Sequence, residues 1–212
     1  METFDEVQIG QMRDAYITKL ECTGRKGVDK LIAWLDSNGF FTAPCSTQYH
    51  LSCEGGLLRH SLNVAKTITD IAKAVCDLES CPDYNSLVLV ALLHDIGKCG
   101  SFGKPNYVEN WIKDGRPTKA EPEQKYKRSE SKPFVTNPDL LYLPHSVRSV
   151  EIASKFIELT EEEEFAIATH DGLYGDFKYV VNGHETLLYF LLHSADLYCS
   201  RFVEAEKEGE AE

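Results

Sequence analysis

Four histidines and two aspartates, His60, His94, Asp95, His145, His170 and Asp196, lie within or at the ends of stretches that are otherwise apolar. An imidazole or carboxylate carried into low dielectric without a partner costs roughly several kcal/mol, so each needs a hydrogen bond, a cleft or a cation. Imidazole nitrogen mixed with carboxylate oxygen suits divalent transition metals such as Mn, Fe, Zn, Ni or Co. A purely structural zinc site would instead be closed and rich in cysteine. A cation held by such a set brings the pKa of a bound water toward neutrality. Lys98, three residues after Asp95, could neutralise charge on a small anionic substrate. Its competing role is an ion pair with Asp95, which is the weaker expectation if that carboxylate already holds a metal. His50 and His193 are candidates for protonating a leaving group or for supporting the ligands.

The elements that must position these groups can be read from periodicity. The run Leu87 to Leu93 is apolar on every side, which predicts a buried helix that delivers His94 and Asp95 together at its end, with Gly97 as a flexible stop. From Gly55 the stripe Leu58, Leu62, Ala65, Ile68, Ala72 and Val75 predicts a long amphipathic helix carrying His60 in its first or second turn. PHSVRSVEIASKFIEL predicts a helix from His145 to Leu159, and Thr160 an N-cap for the next, whose first-turn carboxylates Glu161 to Glu164 complement the helix dipole. That helix ends at His170, stopped by Gly172. A turn-rich link over Leu173 to Gly183 leads to an apolar helix holding His193 and Asp196, with His184 at its N-terminal end. Ahead of all this, Glu6 to Leu20 and Gly27 to Asn38 read as two amphipathic entry helices.

Residues Cys99 to Leu143 break the helical pattern with repeated Gly and Pro, as a functional loop or lid would. Between Lys113 and Lys132 this insertion holds seven Lys or Arg against four Asp or Glu, interleaved with Tyr107, Trp111, Tyr126 and Phe134 around it. Aromatics among cations can stack on a base, which would make Trp111 and Tyr126 substrate-binding, together with His50 and Lys98, in a basic funnel over the site. A solvated hairpin with aromatics packed beneath it is the alternative.

The net charge of -12 over 212 residues argues against wrapping long duplex nucleic acid, and leaves room for a small anionic substrate held by metal. No run is long and apolar enough for a membrane span, and METFDEVQIGQMRD lacks the basic-then-apolar order of a signal peptide. The seven cysteines show no CxxC pair, which reads as reduced thiols in a cytoplasmic protein.

Taken in order, GGLLRHSLNVAK, LLHDIGK, PHSVRS, ATHDG and HSADLYCSR resemble the HD superfamily of metal-dependent phosphohydrolases over roughly Tyr49 to Arg201. The resemblance implies an all-α fold: an HD-domain helical bundle with an irregular or short-hairpin insertion. The chain would be a single domain, with a helical extension over 1–48, an HD core over 49–201, the insertion at 99–143 and an acidic, frayed tail at 202–212. Carried over residue by residue, His60, His94, Asp95 and Asp196 would hold one metal, and His145 and His170 a second, with Asp95 bridging. That pattern is similar to the two-metal phosphodiesterases of the superfamily. The spacing of Tyr49-His50, Gly55 to Leu58 and His60 is also similar to the HD domain of certain bacterial 3'-5' exoribonucleases, which add a nucleic-acid-binding domain in front. The expected activity is hydrolysis of a phosphate ester of a nucleotide or short oligonucleotide by a metal-activated hydroxide, with Asp95 and Lys98 catalytic. A nucleotide-binding, sensing HD module without turnover is the alternative.

Overall fold

The computed structural model describes residues 3–77, 80–117, 119 and 121–205. The described chain is mostly helical, with small antiparallel sheets confined to the 99–143 insertion, so the all-α expectation holds for the body alone. Helix α1 (Glu6–Cys22) starts at a capping box in which Asp5 accepts from the Gln8 amide and the Gln8 side chain accepts from the Asp5 amide. Its buried Tyr16 donates its hydroxyl to the Leu92 carbonyl at 2.9 Å, satisfying the one polar atom it carries inward. Helix α2 (Val28–Ser37) turns Val28, Leu31 and Leu35 inward.

Helix α3 (Gly56–Val75) packs against both α4 (Tyr84–Leu93) and α8 (Leu187–Tyr198) and forms the spine of the molecule. Asp83 caps α4 by accepting from the Asn85 and Ser86 amides, and every residue from Leu87 to Leu93 is buried. Burying each large apolar side chain there stabilises the fold by roughly 1.5–3 kcal/mol, which is what fixes the end of α4 in the interior. Helix α8 runs on into a π-helical turn over Cys199–Val203.

Helix α5 (His145–Ser154) is shorter than its periodicity predicts. The chain turns away at Lys155 because the Phe156 carbonyl is seated against Gly27, where a Cβ would lie 1.9 Å from the oxygen, and the Phe156 ring packs on Trp34. Tertiary packing overrides local propensity at this point. Helix α6 (Glu161–Thr169) opens on the expected cap: Thr160 accepts from the Glu163 amide and the Glu163 carboxylate accepts from the Thr160 amide. Glu163 is itself buried, paired with Arg25 and accepting from the Ser86 hydroxyl. The link after His170 contains a 3-10 turn at Gly172–Tyr174 and the short α7 (Lys178–Val181). His184 lies outside α8, which begins after the Thr186 cap, so its expected place on the helix is corrected.

The insertion consists of three two-stranded antiparallel pairs: β1 (Gly100–Ser101) with β2 (Lys104–Pro105), β3 (Tyr107–Glu109) with β6 (Phe134–Thr136), and β4 (Trp111–Asp114) with β5 (Lys125–Arg128). Its base is tied to the body. The Phe134 amide donates to Thr47, and buried Arg148 of α5 donates to the Asn106 side chain and the Leu141 carbonyl. The outer pair β4–β5 is exposed at every residue. No described helix is long and apolar enough to cross a membrane.

Candidate metal centre

Two of the expected ligands are oriented by one local device. His94 caps the C-terminus of α4 and its Nδ1 lies 2.8 Å from the Ala91 carbonyl; His170 caps α6 and its Nδ1 lies 2.8 Å from the Ile167 carbonyl. A carbonyl only accepts, so the proton sits on Nδ1, an orphan carbonyl of the last turn is satisfied, and Nε2 is turned inward. His60, in the second turn of α3, reaches the same state by another route: its Nδ1 is 2.8 Å from Glu204 Oε2. Asp95 follows His94, and Asp196 comes from α8.

His145, the first residue of α5, is brought in by the close approach of the Asp95–Cys99 turn. A Cβ on Gly97 would lie 2.2 Å from the His145 carbonyl, and the Gly97 amide donates to the Ser149 hydroxyl at 2.9 Å. Gly97 thus supplies room for backbone contact and has no positive φ, which corrects its expected role as a flexible stop.

The six residues converge, and Asp95 divides them into two groups. Its Oδ2 is 3.4 Å from both His60 Nε2 and His94 Nε2; those two nitrogens are 3.3 Å apart, and Asp196 Oδ1 is 3.1 Å from His60 Nε2. Its Oδ1 is 3.2 Å from His145 Nε2 and 3.5 Å from His170 Nε2, with those nitrogens 3.2 Å apart. Metal bonds of about 2.0–2.2 Å at tetrahedral angles set donors about 3.3–3.6 Å apart, so the spacing in both groups matches a coordination shell. Asp95 Oδ1 is buried and accepts no hydrogen bond, the state of an oxygen shaped for a cation. The donor set therefore fits divalent metal ions.

Two participants were missed in the sequence. Asp171 Oδ2 lies 3.5 Å from His145 Nε2, completing a second group with His170; its signal was legible, because His170-Asp171 repeats the dipeptide of His94-Asp95 at another helix end. Glu204 stood in what composition marks as an acidic tail. It is buried, accepting from His60 Nδ1 and from the Asn63 amide group at 2.8 Å each, so the 202–212 tail cannot be frayed from its start. The remainder, 206–212, lies outside the described residues.

Lys98 Nζ lies 2.6 Å from Asp95 Oδ2, so the ion pair ranked second in the sequence is the contact observed. His50 sits behind His60, ring to ring at 5.3 Å, with Nε2 3.9 Å from Glu204 Oε2. His193 donates Nδ1 to the His170 carbonyl at 2.7 Å and stacks on Tyr189, supporting the turn that carries His170. Trp111 and Tyr126 are 56% and 57% exposed on β4 and β5, and none of the contacts that join the six ligands involves them. The structure does not draw them into the centre.

Charge in the cluster is strongly coupled. Burial alone would lower His60, but the charge of Glu204 and hydrogen bonds to Asp196 and Glu204 hold it well above its ordinary value. His170, likewise opposed by burial, is lifted to about 9 by Asp95, 3.5 Å away, and by the other nearby carboxylates. Burial pulls His94 down against the pull of Asp95. Burial would raise Asp95, yet Lys98, His94 and the imidazoles of His145 and His170 beside it keep it well below the usual carboxylate range. At pH 7 the metal-free centre thus carries a proton on His170 that a cation must displace. Mn2+ binding is expected to release protons and to tighten as pH rises toward about 9. Calorimetry in buffers of different ionisation enthalpy measures that release; identical heats in all buffers would contradict it. Glu204 fixes the ring of a ligand, so Glu204→Gln should weaken Mn2+ binding by about 10–100-fold, as loss of such support commonly does, with the fold retained by circular dichroism.

No protein-family model, curated protein or solved structure matches the chain.

Proposed function

We propose that the chain is a metal-dependent phosphohydrolase of the HD type that cleaves a phosphate ester of a nucleotide or short oligonucleotide. The observation that carries this reading is Asp95, a buried carboxylate with one oxygen facing each of two histidine groups. Divalent transition metals held there, two per chain, would supply the charge that activates water and neutralises phosphoryl oxygens. Lys98, mostly buried beside Asp95, places an ammonium where it can turn from the carboxylate to the substrate's phosphoryl group. Burial first, then the charges of His60 and Lys98, push His50 down to about 4. It is therefore neutral at pH 7 and suits hydrogen-bonding to substrate better than protonating a leaving group.

A cavity of about 430 Å³ lined by Tyr49, His50, Ser200 and Arg201 adjoins this side of the centre, within the size range of small-molecule sites. Tyr49 offers a ring for a base and Arg201 a fork for phosphate. A larger cavity of about 670 Å³, walled by Phe4, Glu109, Arg128 and Phe134, contains none of the ligands and has no part in the reading. The thiols of Cys45, Cys76, Cys99 and Cys199 support a reducing, cytoplasmic setting.

Chelation should abolish hydrolysis across a panel of phosphomonoesters, phosphodiesters, nucleoside triphosphates and short oligonucleotides, and Mn2+ should restore it for at least one class. Fully metal-loaded protein inert toward the whole panel would overturn the hydrolase reading. The second reading, a sensing module that binds nucleotide without turnover, is favoured by the outer β4–β5 hairpin, exposed at every residue and free to meet a partner. Mass spectrometry of the recovered ligand separates intact nucleotide from product.

A further inference from the structure

We infer that Cys45, His50 and His60 form an additional cation site, selective for a thiophilic ion such as Zn2+ or Cd2+, on the far side of His60 from the Asp95 bridge. This site shares His60 with the Asp95 centre and His50 with the proposed substrate pocket, but its occupation by an ion does not depend on turnover of a substrate. One donor atom from each of the three residues lies within 4.8 Å of the others. Cys45 Sγ is 3.4 Å from His50 Nε2, close to the separation of sulfur and nitrogen around a tetrahedral ion. Cys45 and His60 are fully buried, and Glu204 Oε2, 3.9 Å from His50 Nε2 and 2.8 Å from His60 Nδ1, adds a carboxylate at the edge of the group.

The loop that presents the pair is stapled. The Cys45 amide donates to the Leu51 carbonyl at 3.1 Å, the Ser46 hydroxyl donates to the His50 carbonyl at 2.8 Å, and Ser46 and Ser52 hydroxyls are 2.7 Å apart. Cys45 and His50 are therefore held together in advance of any ion. Thiolate with imidazole favours Zn2+ or Cd2+ over Mn2+, whereas the Asp95 groups, built from imidazole and carboxylate, accept the harder ions. On binding, the thiol proton leaves to solvent as the sulfur–metal bond forms, and the His60 Nδ1 proton, held toward Glu204 beforehand, also leaves to solvent as that nitrogen turns its lone pair to the ion. His60 serves both sites, so filling one draws on a ligand of the other, and excess Zn2+ should lower occupancy of the His60, His94 and Asp196 group by Mn2+.

Titration with Co2+ reads the site directly, since a thiolate ligand adds a charge-transfer absorption that imidazole and carboxylate do not give. Cys76 and Cys81, whose thiols are hydrogen-bonded to each other at the other end of α3, would add their own signal and are first replaced by serine. In the Cys76→Ser/Cys81→Ser chain the absorption should reach the strength of a single thiolate ligand once all sites are filled, and adding Cys45→Ser should remove it. Should Cys45→Ser fail to fold, zinc-edge X-ray absorption of the Cys76→Ser/Cys81→Ser chain saturated with Zn2+ should show a sulfur shell beside the nitrogen and oxygen donors of the other ions. An absorption untouched by Cys45→Ser, its absence from the double variant, or a sulfur-free zinc shell would each overturn the inference. All three readouts are independent of turnover, so they separate this site from the fate of the hydrolase reading.

Discussion

Asp95→Asn is expected to leave a folded chain that binds less than one Mn2+ where the parent is expected to bind two, and to lower the proposed turnover by on the order of a thousandfold or more. The size follows from position. Among the described residues, Asp95 is the one side chain within 3.5 Å of His60, His94, His145 and His170 together, so its substitution removes an anionic donor from each group at once. The amide keeps the shape but offers one oxygen and an NH2 that points donors at a nitrogen lone pair. It also strips Lys98 of its counter-ion; breaking a buried pair on one side costs about 3–5 kcal/mol, less here because the Lys98 head is partly in water. Metal analysis, kinetics and metal-free thermal unfolding measure the three effects. Parent-like stoichiometry in Asp95→Asn would remove the bridge from the mechanism.

Lys98→Met should behave differently, retaining both metals while kcat falls by about a hundredfold with little change in KM. Burial opposes the ammonium, but Asp95 and, more weakly, Cys45 and Tyr107 hold its pKa well above its ordinary value, so the charge is present across the working range. The lost rate therefore should not vary with pH between about 6 and 9, and Lys98→Arg should restore part of it. If Lys98→Met instead lost metal, the residue would act on Asp95 alone and the phosphoryl role would fall.

Much of this centre was legible before any coordinates. Polar residues set against apolar helix ends pointed to His94, His170 and Asp196, and the unbroken run Leu87 to Leu93 located the buried helix that carries the first pair. What escaped did so for physical reasons. Glu204 has no local sign of burial, since an acidic run reads as solvated and only the return of α8 past α3 sets it against His60. Gly97 looked like a helix stop because the backbone of α5 that crowds it lies some fifty residues on. Trp111 and Tyr126 satisfied a compositional expectation of stacking, but strand pairing placed them on an exposed hairpin and no local rule sets how a hairpin leans. The early end of α5 depended on Gly27, remote in sequence.

Electron paramagnetic resonance of the chain titrated with Mn2+ decides whether Asp95 joins two cations. As the second equivalent binds, an exchange-coupled signal should replace that of isolated ions, and Asp95→Asn should never develop it. Isolated-ion spectra persisting at two bound equivalents, or saturation at a single equivalent, would mean that the His60 and His170 groups do not share a bridged pair.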